Sequence, residues 1–150
     1  MSDDDVFMFR ALALAKEAAE RGEVPVGAVV VEGDRILGEG RNAQIESMDP
    51  TAHAEIKALR AAATSVANYR IPGATLYVSL EPCSMCCGAL IHARISTVIF
   101  AAREPRAGAV VSTRSLLDET EFNHRVAWVE AVEHAPASAA MLRSFFRERR

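Results

Sequence analysis

Apolar residues near the start of the chain recur at helical spacing. Met8, Leu12, Ala15 and Ala19 fall three or four residues apart in an Ala-rich stretch, which predicts a first helix ending near Gly22. The pattern then changes. Val26-Gly27-Ala28-Val29-Val30-Val31 is a continuous, β-branched run of the kind found in buried strands. Gly33-Asp34 supplies a turn and Ile36 to Gly40 returns as a second strand, so a hairpin is expected. Asp49-Pro50-Thr51 reads as a helix start, with Asp or Thr as cap and Pro in the first turn. The helix it opens should reach Ala63 and bury Ile56 and Leu59.

Ala74 to Leu80 is the clearest strand pattern. Pro82 stops it, and a helix follows from Ser84 to Ala93. Thr97 to Ala101 predicts a fourth strand and Arg125 to Val132 a fifth, separated by an irregular stretch with one short helix at Ser115 to Asp118. A last helix from Pro136 to Arg149 should present Ala139, Leu142 and Phe146 on one face. Strands alternating with helices predict an α/β fold, a mixed sheet covered by helices on both faces. No linker, low-complexity segment or repeat breaks the pattern, so residues 1–150 are expected to form one domain.

Composition narrows the class without naming a chemistry. Half of the 150 residues are hydrophobic and a quarter are charged, which excludes a disordered or fibrous chain. No apolar run approaches the ~20 residues that a membrane-spanning helix needs. The opening Met1-Ser2-Asp3-Asp4-Asp5 is acidic where a signal peptide is basic, so a cytoplasmic location is expected. The net charge of −3 argues mildly against a nucleic-acid partner. The last eight residues qualify that, because Arg143, Arg147, Arg149 and Arg150 face only Glu148. Such an end either complements a helix dipole or meets phosphates.

The chemistry gathers in two places. All three cysteines lie within Cys83-Ser84-Met85-Cys86-Cys87, and a cluster in a chain without secretory features points to metal or redox chemistry. At a helix start, unpaired N–H groups and the helix dipole stabilise the thiolates that bind metal. Cys83, Cys86 and the imidazole of His53 would make three ligands of a tetrahedral zinc and leave one position open, as catalytic zinc sites do. A thioredoxin-like redox pair is one alternative, and a structural zinc closed by His92, His124 or His134 is another. Cys87 points ~100° away from Cys86 on a helix and reads as a small apolar residue. Glu55 follows His53 by two residues, so the two converge only on a target lying over the open end of their helix. There Glu55 would carry protons without ligating the metal. By itself it would read as a first-turn glutamate that favours the dipole.

His53-Ala54-Glu55 followed by Pro82-Cys83-Ser84-Met85-Cys86 resembles the signature of the zinc nucleobase deaminases. Further segments are similar to the bacterial tRNA adenosine deaminases over nearly the whole chain. They include Glu23 to Ala28, Asn68-Tyr69-Arg70, Ile91 to Ile95, Phe122 to Val126 and Phe145-Phe146-Arg147. The resemblance implies a cytidine-deaminase-like three-layer α/β/α sandwich on a five-stranded mixed sheet, and a homodimer. It implies one zinc per chain on His53, Cys83 and Cys86, with Glu55 as proton carrier. The implied reaction is hydrolytic deamination of the wobble adenosine to inosine in a tRNA anticodon stem-loop. By the same resemblance Val26 and His53 flank the base, Asn42 bonds its edge, the Ala54 N–H lies beside it, and Glu104 and Asn123 face the flipped nucleotide. Two departures stand out. Glu104 replaces the family's Asp, and Gly108 to Ser112 lacks its small Gly-Ala-x-Gly-Ser pattern. A deaminase of free guanine, cytosine or a nucleoside is the alternative enzyme, and a zinc-stabilised binding module is the non-catalytic alternative.

Overall fold

A computed structural model describes residues 2–149, so Arg150 of the basic tail lies outside the described residues. Helix α1 spans Asp3–Glu20 and is opened by a capping box between Ser2 and Asp5. The hairpin is present as β1, Gly27–Glu32, and β2, Arg35–Arg41, joined at Gly33-Asp34. A short helix α2, Gln44–Ser47, follows, and the sequence pattern had not announced it. Then come α3 (Ala54–Val66), β3 (Thr75–Leu80), α4 (Ser84–His92) and β4 (Thr97–Ala102). A 3-10 turn at Leu116–Asp118 leads to β5 (Ala127–Glu130), a second 3-10 turn at Val132–His134, and α5 (Ala135–Arg147).

The five strands form one mixed sheet in the order β2-β1-β3-β4-β5. β1 is antiparallel to both β2 and β3, whereas β3, β4 and β5 run parallel. Alternate residues of the strands feed opposite faces, as the two-residue strand period requires. Val30, Leu76, Val78, Val98 and Phe100 pack with Ala58, Leu59, Cys87 and Leu90 of α3 and α4. Val29, Val31, Tyr77 and Ile99 pack with Phe7, Met8 and Ala11 of α1, and Met141 of α5 lies against that cluster. The result is the expected α/β/α sandwich.

Three local expectations need correction. Asp49-Pro50-Thr51 does not begin α3. The Asp49 carboxylate accepts from both the backbone N–H and the hydroxyl of Thr51, which makes a self-contained turn instead. The helix begins later, with His53 as its N-cap in extended backbone, and Ile56 is only half-buried. β5 is shorter than expected: Ala131 makes a last bond to the Phe100 carbonyl, and the His134 N–H then closes a turn on the Ala131 carbonyl. In α5 the buried pair is Ser138 and Phe145, one residue before the expected stripe, and Phe146 is half exposed. The Ser138 hydroxyl donates to the Ser79 carbonyl at 2.7 Å, and that bond sets the helix rotation.

Candidate active site

The ligand-bearing helices start at one end of the sheet, where β3 and β4 terminate. Ligand sites in open α/β sheets form at the carboxyl ends of parallel strands. Here His53 is the N-cap of α3 and Cys83 the N-cap of α4, both in extended backbone and neither side chain spent on capping. Two helix N-termini, each bringing the positive end of its dipole, therefore converge on one point. Gly40 makes this possible on the α3 side: a Cβ there would collide with the Ala54 carbonyl oxygen and the Ala58 nitrogen, so only glycine lets the first turn of α3 lie against β2.

His53 Nδ1 lies 3.7 Å from Cys83 Sγ and 3.6 Å from Cys86 Sγ. These separations fit a zinc ion. Tetrahedral coordination with Zn–S of about 2.3 Å and Zn–N of about 2.05 Å places the two donors roughly 3.6 Å apart. The three donor atoms all lie within 4.8 Å of one another. A hydrogen bond from Cys86, with His53 beside it, holds the Cys83 thiol down to about 4 against the opposing effect of burial. The same contact, reinforced by burial, pushes the Cys86 thiol up. Hydrogen bonding to Cys83 raises the His53 imidazole.

Glu55, in the first turn of α3, is buried and 4% exposed. Burial lifts its carboxyl to about 7. With His53 outside the helix proper, the two side chains do turn toward a common point at the helix end. Both line a cavity of about 170 Å³ together with Val26, Asn42, Leu80, Cys83 and Glu104.

The other sequence candidates are distributed unevenly. Asn42 is buried; its amide donates to the Val24 carbonyl and its oxygen accepts from the Ala54 N–H at 2.9 Å. One hydrogen and one lone pair of that amide remain over, while the Ala54 N–H is already taken. Glu104 reaches the cavity wall but turns its carboxylate onto its own loop, accepting from the N–H groups of Arg106 and Ala107. Asn123 does not join the group within this chain. It precedes β5, whose Ala127 pairs with Thr97 at the start of β4, whereas the cavity lies past Ala102 at its end. Its neighbours are tied down there: His124 Nε2 bonds the Ile95 carbonyl, and Arg125 donates to the Asp118 carbonyl.

None of the fourth ligands considered from the sequence approaches the His53, Cys83 and Cys86 donors. His92 is exposed, His124 is held by Ile95, and His134 pairs with Asp5 at 2.7 Å. Cys87 packs in the core with its thiol toward the Pro82 carbonyl, and burial pushes it up to about 12. Three protein ligands with an open position fit catalysis better than a closed structural site. Two buried carboxylates escaped the sequence reading. Glu23 accepts from the N–H groups of Ile45 and Glu46, and Glu81 gathers backbone N–H groups of the 104–112 segment. Nothing in residue spacing marks an acceptor of backbone hydrogens.

Beside the cavity runs a groove of about 670 Å³ that shares Val24, Leu80 and Glu104 with it and adds Arg103, Arg106, Phe146 and Arg149. Arg103 is held by Glu130 in a two-pronged pair. Arg149 lies over the Phe145 ring at 3.6 Å from its centre.

Comparison with known proteins agrees with this geometry. The chain matches the MafB19-like deaminase family over residues 1–150. It is 45% identical to a tRNA-specific adenosine deaminase of Haemophilus influenzae, over 98% of this chain and 85% of the relative. A structure from a study of A-to-I editing by tRNA:A34 deaminases superposes with a TM-score of 0.88 at 39% identity, covering 92% of this chain and 99% of the other. A guanine deaminase from Bacillus subtilis is also similar, with a TM-score of 0.65 at 34% identity over 97% of this chain and 92% of its own. Full-length identity of this order, on the same fold, makes the chain a member of the MafB19-like deaminase family and groups it with the tRNA-specific adenosine deaminases.

Proposed function

We propose that this protein hydrolyses the wobble adenosine of a tRNA anticodon loop to inosine and ammonia, with residues 1–150 acting as one deaminase domain. The observation that carries the reading is a buried carboxylate, Glu55, in a base-sized cavity beside the His53, Cys83 and Cys86 donor triangle. Zinc held by those three residues would act as a Lewis acid that brings the pKa of a water near neutrality. Glu55 takes a proton from the attacking water and delivers it to the purine N1. It then takes the second proton from the new C6 hydroxyl and passes it to the exocyclic amine, so the C6–N bond breaks, ammonia leaves and C6 keeps its oxygen as a carbonyl. Val26 and His53 flank the base, and the free hydrogen and lone pair of the Asn42 amide meet its edge. Single-stranded loops let a base be splayed into such a cavity at low unstacking cost.

The groove beside the cavity suits the flanking nucleotides, with Arg106 and Arg149 toward phosphates and Phe146 as a stacking surface. The acidic net charge makes this basic surface local. An exposed apolar hollow on α3 and α4, lined by Ile56, Leu59, Ala63, Tyr69 and Ala89, supports a homodimer. If two copies pack there with their α4 helices antiparallel, the Asn123 end of one lies beside the Cys83 end of the other, which would bring Asn123 to the nucleotide. No helix among the described residues is long and apolar enough to cross a membrane, and action on tRNA fits the cytoplasm.

The test compares ammonia release from an anticodon stem-loop with release from free adenosine, guanine and cytosine. Efficient turnover of the stem-loop with poor turnover of the free compounds is expected. Efficient deamination of guanine with an untouched stem-loop would overturn the reading in favour of a free-base deaminase.

A further inference from the structure

Glu81 is 3% exposed and lines the cavity wall, but both of its carboxylate oxygens are turned onto the neighbouring loop. Its carboxylate faces the segment 104–112, which has no helix or strand of its own and carries Glu104 and Ala107 to the cavity and Arg106 to the groove. One oxygen accepts from the Glu104 N–H at 3.0 Å and from the Ser112 hydroxyl. The other accepts from the N–H groups of Val110, Val111 and Ser112 at 3.0, 2.8 and 3.0 Å. Four backbone hydrogens and a hydroxyl thus saturate the roughly four lone-pair positions a carboxylate offers. Gly108 lies directly over the carboxylate, where any Cβ would collide with it. The remaining ties are a bridge from Gly108 to Cys83 and the Ala109 N–H on the Pro82 carbonyl.

Glu81 also stands two residues before Cys83. The segment and the first zinc-ligand helix are therefore anchored at one point, and the short link Glu81-Pro82-Cys83 sets the spacing between them. We propose that Glu81 is a positioning residue, which fixes the wall carrying Glu104 at a set distance from the His53, Cys83 and Cys86 group and thereby decides how the substrate nucleotide is held. This rests on the deaminase reading above. Glu81 acts through Glu104 and the loop, without touching substrate.

The test uses Glu81→Gln in the zinc-loaded protein. Glutamine matches the size, but its NH₂ group faces hydrogen-bond donors, so part of the cradle loses its acceptor. Two readouts are taken. Amide exchange at Glu104, Val110, Val111 and Ser112 should speed up by about tenfold or more, while β3 amides hold their rates. The kcat/KM for the stem-loop should fall by about tenfold, mostly through KM, but by less than about threefold when Glu104 has already been replaced by Ala, because coupled residues are not additive. Ser112→Ala, which removes only one hydroxyl, should show the same pattern at smaller size, and it carries the test if Glu81→Gln fails to fold. Unchanged exchange at the four amides, or an equal fold-loss with and without Glu104, overturns the proposal. If the unaltered protein leaves the stem-loop untouched, the functional reading is the one that fails, and the exchange readout alone decides for or against Glu81.

Discussion

On the proposed mechanism, replacing Glu55 by Gln should remove the proton carrier and change almost nothing else. The amide has nearly the same volume, and its oxygen can keep the bond that the carboxylate accepts from its own backbone N–H. Neither zinc nor fold depends on it, since the His53, Cys83 and Cys86 donors lie within 3.7 Å along the His–Cys edges without its help. The other carboxylates lining the cavity cannot take over. Glu104 is occupied by the N–H groups of Arg106 and Ala107, and Glu81 by its own cradle. Positioned proton transfer contributes about 10²–10⁴-fold, and here one residue serves the water, the ring nitrogen and the leaving amine. The expected loss is therefore about 10⁴-fold or more in kcat, roughly 5 kcal/mol of barrier. Inosine formation in single-turnover assays, with metal analysis and thermal unfolding on the same sample, measures it. Turnover within about tenfold of the unaltered enzyme, in a zinc-loaded and folded Glu55→Gln protein, would show that another group moves the protons.

Cys86→Ser should lose zinc or bind it far more weakly, whereas Cys87→Ala should keep full occupancy; full zinc in Cys86→Ser by metal analysis refutes the ligand set. Arg149→Ala should weaken binding of the stem-loop and flatten its salt dependence by about 0.7 in log–log slope, with zinc unchanged, because one phosphate contact is lost. An identical slope would remove Arg149 from the interface. Arg10 donates to Glu39 at 2.6 and 2.9 Å, and that bond holds the Glu39 carboxyl below its usual range. The stability it adds is full above the unfolded carboxyl's pKa and is lost as pH falls through the lowered one. Arg10→Ala should therefore cost up to about 1 kcal/mol near neutrality, since Arg10 is partly exposed, and nothing at a pH below the lowered value; a difference constant with pH in urea unfolding would refute it.

Much of this protein could be read locally. Helical spacing at Met8, Leu12 and Ala15 and the β-branched run before Gly33 determine α1 and β1, because side-chain direction repeats within a few residues of the same chain. The candidate donors His53, Cys83 and Cys86 could be singled out for a similar reason: thiolate and imidazole groups are scarce, and their chemistry is a property of the side chain itself. Tertiary structure decided what depends on distant partners. The insertion of β1 between β2 and β3 pairs residues some 50 positions apart, such as Ala28 and Val78, and no local period encodes that choice. His53 became a cap because Asp49 closed its turn on Thr51 and Gly40 let the first turn of α3 lie directly against β2. Asn123 fell at the far end of β4 because β5 runs parallel to it, which moves the residues before β5 away from the cavity. Glu23 and Glu81 were invisible for the deepest reason. Their partners are backbone N–H groups, which every residue but proline carries alike, so only the folded path of the chain brings those hydrogens to the carboxylates.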